Sequence, residues 1–196
     1  MLDTHARKYV QPAIDKSAAF FVKLGLTANQ VTVISFFIGI SSGVFFYFDQ
    51  LFIAVFVLWL SGYLDAVDGS MARQTKTTSS WGTVMDITFD RLVEISVILG
   101  IAFRFPELQW ALLLLAVSII FSMTVFLTVG AVSEKQGIKS FYYQAGVAER
   151  TEGFILLTLM MVVADYRLII TLIFFAVETF TGIQRFLEAK KILTKG

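Results

Sequence analysis

The stretch LFIAVFVLWLSGYLDAVDGSMARQTKTTSSWGTVMDITFD, residues 51–90, opens as a membrane span and then places four aspartates within 26 residues: Asp65, Asp68, Asp86 and Asp90. Each charged side chain within a span costs about 2.5–3.5 kcal/mol even on the lenient insertion scale, so four unpaired carboxylates would cost roughly 10 kcal/mol or more. Mutual repulsion would add to that. The cluster therefore makes physical sense only if something cationic neutralises it.

The rest of the chain supports the membrane setting. It has 196 residues, the size of one domain, of which 57% are hydrophobic and 16% charged, with 20 phenylalanines. Several apolar runs reach or approach the roughly 20 helical residues that cross a bilayer core. The expected fold class is all-α integral membrane. The net charge of +1 says nothing about nucleic acid, because the basic residues are sorted by membrane side, and no nucleic-acid partner is expected. With no cysteine, disulfides, thiolate metal sites and cysteine nucleophiles are excluded. A single histidine, His5, leaves no material for a histidine-built metal site or a Ser-His-Asp triad. The first residues show no signal-peptide pattern.

Along residues 1–24, Leu2, Ala6, Tyr9, Val10, Ala13, Ile14, Ser17, Phe20 and Phe21 recur at helical steps, with His5, Arg7, Lys8, Asp15 and Lys16 between them. Such a basic amphipathic helix is expected to lie in the membrane interface. Residues 25–196 are expected to form one transmembrane domain of six spans. Thr27 is a plausible N-cap for the first, which runs to about Phe48. The others cover about 51–73, 82–103, 108–132, the short apolar run GFILLTLMMVVA between Glu152 and Asp165, and 168–187. Thirteen of the sixteen Lys and Arg residues lie in the N-terminal segment, the 73–80 loop, the 133–150 loop and the C-terminal end. Arg104 and Arg167 lie on the opposite side, and Arg91 is within a span. By the positive-inside rule both termini and the site are expected on the cytoplasmic face of the cell membrane, which an even number of spans permits.

The aspartates are matched in depth. Counted inward from the polar segment Gln74–Trp81, Asp68 and Asp86 lie roughly 8 Å deep and Asp65 and Asp90 roughly 13 Å, at about 1.5 Å per helical residue. The i, i+3 and i, i+4 spacings put each pair on one helix face. Two antiparallel neighbours would then focus four carboxylates on one point. Such a hard-oxygen set suits Mg²⁺, Mn²⁺ or Ca²⁺, and four carboxylates can bridge two ions that clamp a transferring phosphoryl group. Gly69, Ala72 and Gly82 clear the helix faces beside them, which serves close helix packing or the approach of a phosphate and base to the backbone. Arg73 is placed to pair with a phosphate or to reach lipid headgroups.

The pattern D-x-x-D-G-x-x-A-R, eight residues, then G-x-x-x-D-x-x-x-D resembles the signature of the CDP-alcohol phosphotransferases. It is met at all eight specified positions: Asp65, Asp68, Gly69, Ala72, Arg73, Gly82, Asp86 and Asp90. The resemblance extends over nearly the whole chain, to a six-span body with an N-terminal interfacial helix. It implies transfer of the phosphatidyl or similar group of a CDP-linked lipid to a hydroxyl of a small polar acceptor, with release of CMP. By the same resemblance, Asp65, Asp68, Asp86 and Asp90 would hold a pair of Mg²⁺ or Mn²⁺ ions, and Asp90 would also be the catalytic base. Asp68, Gly69, Ala72, Arg73, Gly82 and Thr32 would line the CDP pocket, and the chain would work as a homodimer among membrane lipids.

The acceptor is less defined. Asp90-Arg91, Glu149-Arg150-Thr151-Glu152 and Gln184-Arg185 resemble the branch that makes phosphatidylinositol phosphate and archaetidylinositol phosphate. The phosphatidylglycerophosphate branch tends to carry lysine after the last aspartate. Arg150, Arg185, Lys135, Lys139 and Glu149 are the candidate acceptor residues. One departure stands out: the inositol-phosphate branch has a K/R-A-R-A-E-like run where this chain reads LTVGAVSE, residues 127–134. Inositol phosphate, glycerol 3-phosphate, another polyol phosphate and a neutral alcohol therefore all stay open. Two other functions compete: an ion-coupled transporter whose acids bind the transported cation, and a non-catalytic scaffold that retains a metal site.

Overall fold

The computed structural model describes residues 2–132 and 150–193, with side chains from residue 10 onward except at 192. All the regular structure among them is helical. Helix α1 spans Leu2–Lys23 and stops at Gly25, whose φ of +80° suits a residue without Cβ. There Leu26 N–H bonds Phe21 C=O and Gly25 N–H bonds Val22 C=O, which satisfies the last carbonyls of the helix. Helix α2, Ala28–Tyr47, starts at Thr27 as expected: the Thr27 hydroxyl accepts from Gln30 N–H while the Gln30 side chain accepts from Thr27 N–H. A tight turn with Asp49 at φ +63° leads into α3, Leu51–Gln74. Helix α4, Ser80–Arg104, is capped by Ser79 Oγ, which accepts from Gly82 N–H at 3.0 Å.

After a short 3₁₀ turn at Pro106–Leu108 come α5, Gln109–Val132, and α6, Arg150–Val162. A second 3₁₀ turn, Ala164–Tyr166, leads into α7, Arg167–Leu193. The described residues divide into two compact units, one over residues 2–105 and the other over 106–132 and 150–193.

In the first unit α2 packs against both α3 and α4, whereas α3 and α4 are not closely packed on each other. Small residues make this possible. A Cβ on Gly43 would fall 1.9 Å from the Ser96 carbonyl oxygen, and one on Gly100 would fall 2.4 Å from the Gly43 carbonyl oxygen, so the α2 and α4 backbones touch there. Serine hydroxyls bond across the same crossings: Ser96 to Ile40 C=O at 2.6 Å, Ser35 to Ser61 C=O at 2.8 Å and Ser42 to Ala54 C=O at 2.9 Å. Close backbone approach plus interhelical hydrogen bonds is how helices associate where lipid removes the hydrophobic drive. Arg104, at the end of α4, donates to Phe46 C=O and pairs with Asp49, tying down the far end of α2.

Helix α1 lies on α3. Ile14 and Ala18 are buried with Leu64, Val67 and Met71, and Ser70 Oγ donates to Asp15 Oδ1 at 2.6 Å. In the second unit α7 packs on α5 and α6. Gly182 sits against Phe121 and Ser122, and the buried Arg167 donates to the Met160 and Met161 carbonyls at the end of α6.

Four segments are long and apolar enough to cross a membrane: Ala28–Tyr47, Leu51–Gln74, Pro106–Val132 and Ala164–Lys191. The third and fifth expected spans do not reach that standard, for separate reasons. Helix α4 has the length, at 25 residues, but Asp86, Asp90, Arg91 and Glu94 interrupt its apolar run. Helix α6 has 13 residues, which cover about 20 Å at 1.5 Å per residue, short of a core about 30 Å thick.

Candidate phosphotransfer site

The site is built on the last three turns of α3 and the first three of α4, within the first unit. Helix α2 packs on both α3 and α4, and acids of the two helices reach a shared space. One carboxylate oxygen each from Asp65, Asp86 and Asp90 lie within 4.8 Å of one another. Three acids, not four, share this point. Asp68, the most buried of the set at 6% exposure, lies along the adjoining cavity.

That cavity has a volume of about 280 Å³. Of the expected donor-pocket residues, Thr32, Asp68, Gly69, Ala72, Arg73 and Gly82 all line it, together with Asp65 and Asp86. Asp90, one turn further along α4 than Asp86, is not in its wall. The glycines keep it open: a Cβ on Gly69 would meet Arg73 Nη1 at 3.4 Å, and one on Gly82 would meet Ser79 Oγ at 3.3 Å. The wall thus combines carboxylates at one end with a guanidinium, hydroxyls and bare backbone around them.

Sequence reasoning missed several members. Asn29, Thr77, Thr78, Ser79 and Thr83 also line the cavity. The hydroxyl-rich run TKTTSS at residues 75–80 was visible as a polar loop, but only folding shows that it forms a wall. Glu94 is buried and pairs with Arg91, which spends that arginine on its own helix. Glu178 in α7 is buried as well, and a single acid in an apolar span was detectable by the same cost argument as the aspartates.

The acceptor candidates belong to the second unit, as far as they are described. Arg185 is buried, lies over the Phe126 ring at 5.0 Å from its centroid, and donates to Ser122 Oγ at 3.2 Å. Arg150, at the first turn of α6, lies over the Phe154 ring at 5.4 Å. Lys135, Lys139 and Glu149 lie outside the described residues.

The acidic set fits a hard divalent cation. Two oxygens bound to one Mg²⁺ at about 2.0–2.1 Å are at most about 4.2 Å apart. The trio's oxygens, all within 4.8 Å of one another, lie close to that spacing. No sulfur or imidazole donor stands among these ligands, which suits Mg²⁺ or Mn²⁺ over softer metals.

Comparison with known proteins agrees with this chemistry. The family model of CDP-alcohol phosphatidyltransferase matches residues 25–184. The archaetidylinositol phosphate synthase of Pyrococcus horikoshii is 31% identical over 190 residues, covering 97% of each chain. The fold resembles that of the phosphatidylinositol phosphate synthase of Mycobacterium tuberculosis solved with CDP-DAG bound, at a TM-score of 0.75 and 24% identity, over 90% of this chain and 92% of that one. The same enzyme in complex with manganese and citrate gives a TM-score of 0.75 over 90% and 88%. A signature met at every position, a family match over most of the chain and a relative matched end to end leave one conclusion: the chain belongs to the CDP-alcohol phosphatidyltransferase family.

Proposed function

We propose that this chain transfers the phosphatidyl (substituted phosphate) group of a CDP-linked lipid such as CDP-diacylglycerol to a hydroxyl of a polyol phosphate, and releases CMP. The observation that carries the proposal is the meeting of Asp65, Asp86 and Asp90 beside a cavity walled by Gly69, Ala72, Arg73 and Gly82. The acceptor oxygen forms a bond to the lipid-side phosphorus while the bond from that phosphorus to CMP breaks, and the electron pair leaves on CMP. Asp90 takes the hydroxyl proton as general base. Arg73 donates to a phosphate oxygen, and Thr32, Gly69, Ala72 and Gly82 let the nucleotide approach the backbone. Mg²⁺ or Mn²⁺ held by Asp65, Asp68, Asp86 and Asp90 would neutralise the diphosphate and stabilise charge on the leaving group.

Chelation by EDTA is expected to lower CMP release by at least about a hundredfold, and added Mn²⁺ or Mg²⁺ to restore it. Persistence of full activity in metal-free buffer would remove the metal from the reaction.

The polyol-phosphate acceptor is supported by the likeness to an archaetidylinositol phosphate synthase and by the buried Arg185 and the Arg150 at the start of α6. Lys135, Lys139 and Glu149 complete the proposed acceptor set. Arg150→Ala is expected to raise the acceptor KM by about tenfold or more while leaving the donor KM near its original value, since a charge-assisted contact is worth about 1.5–3 kcal/mol. Equal changes for both substrates would place Arg150 outside the acceptor site.

The placement of basic residues supports six spans with both termini and the site on the cytoplasmic face, α4 and α6 being the two spans broken by charge or short in length. It also supports α1 as an interfacial helix, and the homodimer is carried by family resemblance alone. The transporter alternative has no support from the family to which the chain belongs.

The deciding experiment incubates the purified chain with CDP-diacylglycerol, Mn²⁺ and a panel of inositol 1-phosphate, glycerol 3-phosphate, serine and free inositol. CMP is measured and the lipid product is weighed by mass spectrometry. Absence of CMP with every acceptor, from protein that still binds Mn²⁺, would overturn the proposal.

A further inference from the structure

Helix α3 is bonded to different neighbours along its length. In its first half, the Ser42 and Ser35 hydroxyls of α2 donate to the Ala54 and Ser61 carbonyls. The half that carries Asp65 and Asp68 is bonded to α1. There the Ser17 and Tyr63 hydroxyls meet at 2.7 Å, and Ser70 Oγ donates to Asp15 Oδ1 at 2.6 Å. Gln74 Nε2 donates to the Asp15 carbonyl at 3.2 Å and to Ser70 Oγ at 3.1 Å. Gln11 Nε2, one turn back on α1, donates to the same Asp15 carboxylate oxygen at 2.7 Å.

These bonds lie behind the site. At about 100° per residue, Tyr63, Ser70 and Gln74 fall within about 40° of one another around α3, and Asp65 and Asp68 fall about 140–160° away, on the opposite side. In front of the acids lies the cavity, where α3 and α4 are not closely packed on each other. A roll of α3 about its axis therefore moves the acids directly. With side-chain ends about 5–6 Å from a helix axis, a roll of about 20° displaces a carboxylate by about 2 Å. That is about the length of one Mg²⁺–oxygen bond.

We infer that Asp15 is a positioning residue: through Ser70 it fixes the roll of α3 and so presents Asp65 and Asp68 to the metal. The inference rests on the proposed metal-holding role of those two aspartates. Asp15 does not line the cavity, and it acts from the far side of the helix. Ser70 is buried, so its hydroxyl has little water to turn to when Asp15 is lost. Through this contact the amphipathic helix α1 becomes part of the site's support.

Asp15→Ala and Ser70→Ala are each expected to weaken Mn²⁺ binding about tenfold by titration calorimetry in detergent, and the double variant to bind no more weakly than either. Turnover should fall at limiting Mn²⁺ and recover at saturating metal. Asp15→Asn keeps the accepting oxygen and should bind Mn²⁺ like the unmodified protein. Lys16→Ala, on the exposed side of α1, should change neither binding nor turnover. A lower unfolding midpoint in Asp15→Ala with unchanged Mn²⁺ affinity would make the contact structural only and overturn the inference. Equal losses in Asp15→Asn and Asp15→Ala would overturn it too, since charge and not position would then be what matters.

Failure of the unmodified protein to bind Mn²⁺ would count against the metal reading of the aspartates. The hold of α1 on α3 is then measured directly. The chain has no cysteine, so Lys23→Cys and Lys76→Cys, both at exposed positions, take spin labels at those two sites alone. The distance distribution between the labels is expected to broaden when Asp15→Ala is added. An unchanged distribution would overturn the inference.

Discussion

Asp90→Asn is expected to lower transfer by about two to four orders of magnitude, the range for loss of a positioned general base, while CDP-lipid binding changes little. Asparagine matches aspartate in size, so packing around α4 is unchanged, including the stack of Phe89 on Phe36 at 4.3 Å between centroids. What is lost is the charge and the basic oxygen. Asp90 meets Asp65 and Asp86 but is not part of the cavity wall, so a nucleotide there retains Asp68, Gly69, Arg73 and Gly82. The variant also loses one proposed metal ligand, and the two roles separate by titration. If raising Mn²⁺ restores turnover, Asp90 acts as a ligand only. If turnover stays low at saturating metal while the donor still binds, it acts as the base. Wild-type turnover would remove it from the mechanism.

Gly43→Ala is expected to cost at least about 3 kcal/mol, at the upper end of overpacking penalties, and to lower activity with it. A single methyl group at this position would stand 1.9 Å from a backbone carbonyl, which cannot rotate away. Helices α2 and α4 would have to separate, and the Gly43 N–H to Ser96 Oγ bond at 3.2 Å would go with the contact. Since α4 carries Asp86 and Asp90, the carboxylates would move apart from Asp65, and the affinity for Mn²⁺ should fall as well. Gly82→Ala is the control for stability, because its added methyl meets only the Ser79 hydroxyl at 3.3 Å and an Asn29 side chain at 3.6 Å. Thermal unfolding in detergent, followed by tryptophan fluorescence, should separate the two variants clearly. Matching midpoints would show that the α2–α4 crossing tolerates expansion.

The helices were legible in the sequence because what makes them is local. Apolar runs of span length, the Thr27–Gln30 capping box and the polar break between residues 74 and 81 act within a few residues of one another. The i, i+3 and i, i+4 placement of the aspartates is likewise a local property, and it was enough to propose the donor half of the site. Which of the four acids meet at one point was not legible, because it depends on how α3 and α4 are turned about their axes. Those rotations are set by contacts between residues far apart in the chain: Gly43 with Ser96 and Gly100, Ser35 with Ser61, Ser42 with Ala54. They bring Asp65, Asp86 and Asp90 together and leave Asp68 along the cavity. Asn29 and the 77–79 hydroxyls were missed for the same reason, since a polar residue near a helix start looks alike whether it faces water or a ligand. The sequence by itself determined the helices, the acid pairs and the chemistry they favour. Only the tertiary structure decided which carboxylates meet and what walls surround them, because the helices' rotation about their axes follows from contacts between distant residues that no short stretch contains.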